Sequence, residues 1–261
     1  WDPSAVCFLR GTLVATPDGE VPVESLKIGD TVLTHSSGAM PIAWIGRSSH
    51  TLAIGSRSRE AAPVRVSAGA LGEGLPREDL SVSPRHCVLV DGALIPAERL
   101  VNGVTITQPP VSGPVDYFQL ELDKHECVLS AGTWSETFLD QGDRFRFHNA
   151  HEHDGVVRGS TVPFHMPIVE NGTELARRIA PIHEAAGLLG KAGKPFFGYV
   201  DAASTSRISG WAFDAENPTL PVILDVVLDG AVIASAVACD YRKDIQQCGH
   251  GLGMAGYFAD L

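Results

Sequence analysis

What this sequence lacks narrows it before any motif is read. No apolar run reaches the roughly 18 residues that a membrane-crossing helix requires. Basic residues are scarce, with 20 Lys and Arg against 31 Asp and Glu for a net charge of −11. That balance argues against a nucleic-acid partner and offers no attraction to anionic lipid. The five cysteines, Cys7, Cys87, Cys127, Cys239 and Cys248, contain no CxxC pair, which excludes a thioredoxin-type motif and a cysteine-built zinc site. An odd count leaves at least one thiol unpaired, and Cys239 and Cys248 are expected as free thiols rather than a disulfide. HExxH, GxSxG and the P-loop are absent. The glycine-rich stretch from Gly249 to Gly256 precedes Tyr257-Phe258 instead of opening a helix, so it reads as a turn or bulge and not a phosphate cradle. No cofactor and no metal are expected. No signal-peptide pattern stands in these residues, and the first residue is not methionine, so a leader removed ahead of Trp1 stays open. The chain opens at Trp1, so residues 1–6 are expected to be the tail of something longer, and targeting is unreadable.

What is present is a succession of short β-type runs. Thr12–Thr16, Thr31–Thr34, Ile42–Ile45, Val64–Ser67, Leu80–Ser83, Cys87–Val90, Val104–Thr107, Tyr117–Leu122 and Cys127–Ser130 are each expected to form a strand. Gly, Pro, Asp, Asn and Ser punctuate many of the gaps. Gly38 and Gly92 mark hairpin turns, and Val23–Leu26 and Pro96–Leu100 allow one helical turn each. The stretch 148–155 (HNAHEHDG) reads as a loop. Gly172–Leu189 is the best helix, with Thr173 expected as its N-cap and Pro181 expected to kink or split it. Residues 190–195 read as a linker. Beyond Phe196 the pattern is β again, and Asp229-Gly230 between two apolar runs predicts a type I′ hairpin. The fold class is therefore all-β, with a short helical linker and a small β-sandwich-like module. The expected parts are a flank at 1–6, a main domain over 5–147, a loop and helical linker over 148–195, and the module over 196–261. That module ends just after Tyr257-Phe258 and is expected to be short of its last strand.

Three pieces occur in a distinctive order. Cys7-Phe-Leu-Arg-Gly-Thr12 leads into a hairpin and then Glu24-Ser-Leu-Lys-Ile-Gly-Asp30; Ser83-Pro-Arg-His86 opens a strand; and His125 lies in the late segment LDKHECVL. In this order the chain resembles the Hint (Hedgehog/intein) domain in its bacterial intein-like form, over about residues 5–145. The resemblance implies self-processing. The Cys7 thiol would attack the Val6 carbonyl, converting the Val6–Cys7 peptide into a thioester. An imidazole would protonate the departing nitrogen. The family's Thr-x-x-His motif falls on Ser83 and His86, with Ser83 keeping the hydroxyl and dropping the methyl. His125 matches a histidine often found late in this fold. The acyl group would pass to water or a small nucleophile, so the partner is the protein's own upstream segment. The resemblance also favours an extracellular or cell-surface setting, and a monomer is expected. The alternative is a degenerate, non-catalytic Hint scaffold whose C-terminal module binds carbohydrate or protein, with Trp211 as contact or as core.

The departures from the family pattern bear on the far end. Inteins end in His-Asn, but the aligned segment Gly132-Thr-Trp-Ser-Glu-Thr137 has none. His148-Asn149 comes about a dozen residues later and is followed by Ala150, which has no side-chain nucleophile. Splicing is therefore not expected, and no match to a sterol-recognition region is visible. Asp30 reads as a turn residue, Cys87 and Cys127 as core thiols, and His148, His151 and His153 as a solvated loop rather than a metal site.

Overall fold

The structure, a computed structural model, describes residues 6–53, 61–156, 164–188, 196–218, 220–249 and 253–261. Expectations that fall on residues 1–5, on the 190–195 linker and on residues 250–252 lie outside it. The chain divides into two compact units: Trp1–Glu98 with Ile106–Ile168, and Arg99–Thr105 with Val169–Leu261.

The first unit is all-β. Its strands are β1 (Phe8–Leu9), β2 (Leu13–Thr16), β3 (Gly19–Pro22), β4 (Thr31–Thr34), β5 (Gly38–Pro41), β6 (Trp44–Leu52), β7 (Val64–Val66), β8 (Leu80–Val82), β9 (Cys87–Val90), β10 (Ala93–Pro96), β11 (Ile106–Thr107), β12 (Gly113–Glu121), β13 (Cys127–Ser130) and β14 (Thr133–Glu136). One antiparallel sheet has the order β11-β7-β8-β1-β12-β6. The other runs β10-β9-β14-β13-β2-β3, with the β4–β5 hairpin joined through β13. Glycines at positive φ reverse the chain where no L side chain sits comfortably. Asp91-Gly92 turns β9 into β10 with φ of 45° and 71°, the two positive values a type I′ turn demands. Ala131-Gly132 does the same between β13 and β14 with φ of 47° and 76°, a turn that alanine hides from sequence inspection.

Two expectations shift here. Ile42–Ile45 is not a strand of its own. Its first two residues bridge β5 and β6, with Ile42 N–H donating to the Asp30 carbonyl and Ala43 N–H to the Glu121 carbonyl. The run Val104–Thr107 pairs only through Ile106 and Thr107, because Asn102 Oδ1 takes the N–H groups of Val104 and Thr105 and holds that part in a loop.

The second unit holds β15 (Phe196–Ala203), β16 (Arg207–Asp214), β17 (Val222–Leu228), β18 (Ala231–Ala238), β19 (Asp240–Tyr241) and β20 (Met254–Asp260), with α2 (Gly172–Ala185) and α3 (Lys243–Gln247); a single turn, α1 (Ala97–Leu100), lies where the units divide. The sheet order is β15-β16-β20-β19, and β17 and β18 form a separate hairpin. Its turn, Asp229-Gly230, has φ of 50° and 82°. The helix differs from expectation at both points. Asn171, not Thr173, flanks its start, and the Thr173 hydroxyl is buried without a hydrogen-bond partner among the described residues. The helix also passes through Pro181 as one element. An interior proline costs on the order of 3 kcal/mol, but Leu175, Ala176, Ile179 and Ile182 form one buried face against β18 and β20. Packing of such a face supplies most helical stability in proteins.

Candidate active site

The site begins with a strand pairing. Phe8 of β1 faces Val82 of β8. Carried one residue further, the same register sets Cys7 against Ser83. The Ser83 N–H donates to the Cys7 carbonyl at 2.9 Å, and the Cys7 N–H donates to Ser83 Oγ at 2.9 Å. The amide nitrogen between Val6 and Cys7 is thus pinned by a side chain that sequence reading had already picked out. Ser83 accepts from this peptide through Oγ.

From Ser83 the chain turns sharply. His86 N–H donates to the Ser83 carbonyl, Ala97 N–H to that of His86 and Glu98 N–H to that of Pro84. These bonds fix the turn and send His86 into the interior. Its ring is fully buried, packs on Phe8 with centroids 4.4 Å apart, and has no hydrogen-bond partner at either nitrogen among the described residues. Burial pushes its pKa down from 6.5 to about 4, against an upward pull from the Glu136 carboxylate. At neutral pH the ring is an uncharged base.

Cys7 is also fully buried, in an apolar cluster with Trp44, Leu52, Ala61, Ala62, Val115, Tyr117, Phe138 and Phe147. Burial raises its thiol pKa well above the ordinary value. The sulfur is therefore a neutral thiol, and any attack from it must be coupled to proton removal.

A second row crosses the other sheet. Ser135 of β14 faces Val88 of β9, and Cys127 of β13 faces Glu136. Cys87, Glu136 and Cys127 thereby lie side by side. Glu136 is the functional candidate that sequence reading missed. Its Oε1 accepts the Cys87 N–H at 2.6 Å, and its Oε2 lies 3.8 Å from His125 Nε2. Burial would raise its pKa, but His125, His86 and the Cys87 N–H outweigh this and hold it below the usual carboxylate value. His125 is oriented from its far side, where Nδ1 accepts the His165 N–H at 2.9 Å and Phe164 meets the ring edge-on. Residues 164–168 act as a strap: Met166 and Ile168 pack on Cys87, Leu94 and Cys127, and the Pro167 carbonyl accepts the Leu94 N–H. Cys87 and Cys127 are both buried, and burial first, then Glu136 and Glu126, push the Cys127 thiol to about 12. The structure thus brings Cys7 to Ser83 and His125 to Glu136, and the Glu136 charge reaches His86.

The remaining candidates lie apart from these rows. Asp30 closes its turn by accepting the Lys27 N–H. His148, His151 and His153 do not converge: His148 packs near His50, His153 against Trp44, and His151 is exposed. No group of three potential metal ligands exists among the described residues. Asn149 is buried and fully engaged, accepting the Arg47 N–H and donating to the Ile45 carbonyl and to Glu152. All five cysteines are free thiols. No described helix is long and apolar enough to cross a membrane.

A family model described as "Hint domain" matches residues 6–142, just over half of the chain. The chain belongs to the Hint domain family. Solved structures resemble this Hint domain across about half of the chain and nearly all of their own length. The bacterial intein-like domain from Clostridium thermocellum is 15% identical, covers 52% of this chain and 100% of its own, and has a TM-score of 0.40. The gp41-1 intein is 12% identical, covering 50% and 98% with a TM-score of 0.36. A DnaB intein from Synechocystis sp. PCC 6803 is 9% identical, covering 51% and 98% with a TM-score of 0.34. No curated protein matches the chain.

Proposed function

We propose that this Hint domain cuts its own Val6–Cys7 bond once, through a thioester. The observation that carries the reading is the hold on the scissile nitrogen, whose N–H is bound by Ser83 Oγ at 2.9 Å in a fully buried setting. The thiol sulfur of Cys7 adds to the Val6 carbonyl carbon. The bond from that carbon to the Cys7 nitrogen breaks as the carbon–sulfur bond remains. The thiol proton passes through His86 to the nitrogen, which leaves as an amine. His86 suits the task because it is neutral at pH 7 and has both nitrogens available among the described residues. Water or a small thiol then attacks the thioester. The segment ending at Val6 leaves as an acid or a new thioester, and Cys7 sulfur regains a proton. His125 is read as a site residue through Glu136 rather than through direct contact.

Mass spectrometry of the full chain with and without dithiothreitol tests this reading. The thiol should release the segment ending at Val6, and Cys7→Ala should remain intact. One observation favours a second reading, a non-catalytic scaffold: the Cys7 sulfur is sealed in an apolar cluster. Equal, complete survival of the wild-type and Cys7→Ala chains in dithiothreitol would select it.

A further inference from the structure

The cleavage described above links Glu136 to His125 but leaves unstated what its charge acts on. A carboxylate taken out of water is costly unless its lone pairs are filled. Glu136 is buried, yet it receives one backbone N–H, from Cys87, and faces one imidazole at 3.8 Å. The titratable groups around it are His86 from the turn before β9, Cys87 on β9, His125 in the segment before β13, and Cys127 at the start of β13. Among the described residues, no lysine or arginine is paired with it. His125 Nδ1 accepts the His165 N–H, and its Nε2 lies 3.8 Å from Oε2, beyond hydrogen-bond distance. The carboxylate is left fixed and only partly satisfied, and it acts electrostatically on a buried His86 whose ring nitrogens have no hydrogen-bond partner among the described residues.

We propose that Glu136 is the positioning residue of His86, a fixed carboxylate that steadies the imidazolium formed while His86 carries the Cys7 proton to the departing nitrogen. The inference rests on the cleavage reading for its purpose, though not for its geometry. A buried ring that must become cationic for an instant needs a negative charge already in place, since no water can reorient to stabilise it. The charge is supplied across a sheet. The Ser135–Val88 pairing brings Glu136 beside Cys87, and Cys87 follows His86 directly. Through His125 and its bond to His165, the orientation of this carboxylate depends in turn on the strap at 164–168.

The test separates this role from a staple between β9 and β14. Glu136→Gln removes the charge but keeps an oxygen that can accept the Cys87 N–H. In the full chain carrying Cys7→Ala, which cannot cleave, ¹⁵N-histidine NMR should show the His86 pKa falling by about one unit or more in Glu136→Gln, with its tautomer ratio at pH 7 changed. In the chain with Cys7 intact, dithiothreitol release should slow by about tenfold or more, and the acid limb of its pH profile should move to lower pH. If Glu136→Gln does not fold, ¹³C-glutamate titration of the Cys7→Ala chain takes its place, and the His86 signals should follow Glu136. An unmoved His86 in either measurement overturns the proposal. A chain that never releases its first residues, but whose His86 responds to Glu136, removes the cleavage reading and upholds this one.

Discussion

His86 and His183 are buried to nearly the same degree in different units, and burial pushes both to a pKa of about 4. They resemble each other in little else. His183 sits on α2 among apolar neighbours of that helix, and burial is the single cause of its shift. His86 lies within reach of the Glu136 charge and follows the turn that binds the Cys7 nitrogen. A displaced pKa marks desolvation, which a packed helix face produces as readily as a reaction centre. What separates the two is a charge arranged toward the ring and a bond that needs its proton.

Cleavage should break the pair apart most sharply. His86→Ala is expected to slow dithiothreitol-induced release by on the order of 10²-fold or more, as loss of a general acid–base group does. His183→Leu should leave the rate unchanged, and mass spectrometry over a time course measures both. If His183→Leu slowed release as strongly, the distinction between a perturbed and a working histidine would collapse.

Acid should treat the two alike. Each ring binds its proton more weakly in the folded chain than in the unfolded chain, where its pKa is near 6.5. Between pH 6.5 and about 4 the unfolded state therefore holds more protons, and stability falls as pH falls through that window. A shift of this size is worth about 3 kcal/mol per ring once pH is below both values. Urea denaturation at pH 7 and pH 4.5 should show His183→Leu losing less stability than wild type. Glu126 acts in a lower window. Burial would raise its carboxyl, but Ser36, Ser37, His165 and Lys124 hold it at about 2. Its contribution persists to pH 4.5 and is lost as pH falls toward 2, so it does not blur the comparison.

The difference between these histidines was only partly legible in the sequence. Cys7, Ser83 and His86 could be read because their chemistry is carried by a fixed order of residue types along the chain. Glu136 could not, since TWSET looks like an ordinary short strand. Its meaning comes from register, which lays residues 87, 127 and 136 in one row. The 164–168 strap was equally hidden, because nothing local says that the His165 N–H will cap a ring forty residues earlier. The all-β class and the Gly92 and Asp229-Gly230 turns were visible because turn chemistry is local. Pro181 misled for the opposite reason: the burial that overrides it is tertiary.

Asn149 provides the finest test, because it is a buried polar side chain with every partner His86 lacks. It accepts the Arg47 N–H at 2.7 Å and donates to the Ile45 carbonyl at 2.9 Å and to Glu152 at 3.0 Å. An intein-like asparagine must turn its amide nitrogen on its own backbone carbonyl. Here that nitrogen is already bonded to two oxygens, and the following Ala150 opens a 3-10 turn. Asn149→Ala should therefore leave thiol-induced release at the wild-type rate. It should instead cost about 1–3 kcal/mol of stability, since the Arg47 N–H and Ile45 carbonyl lose a buried partner. Urea denaturation and the mass-spectrometric time course together read both effects. A fragment beginning at Ala150 that forms in the wild-type chain and vanishes in Asn149→Ala would show that this side chain reacts, and that full hydrogen bonding does not keep a buried amide inert.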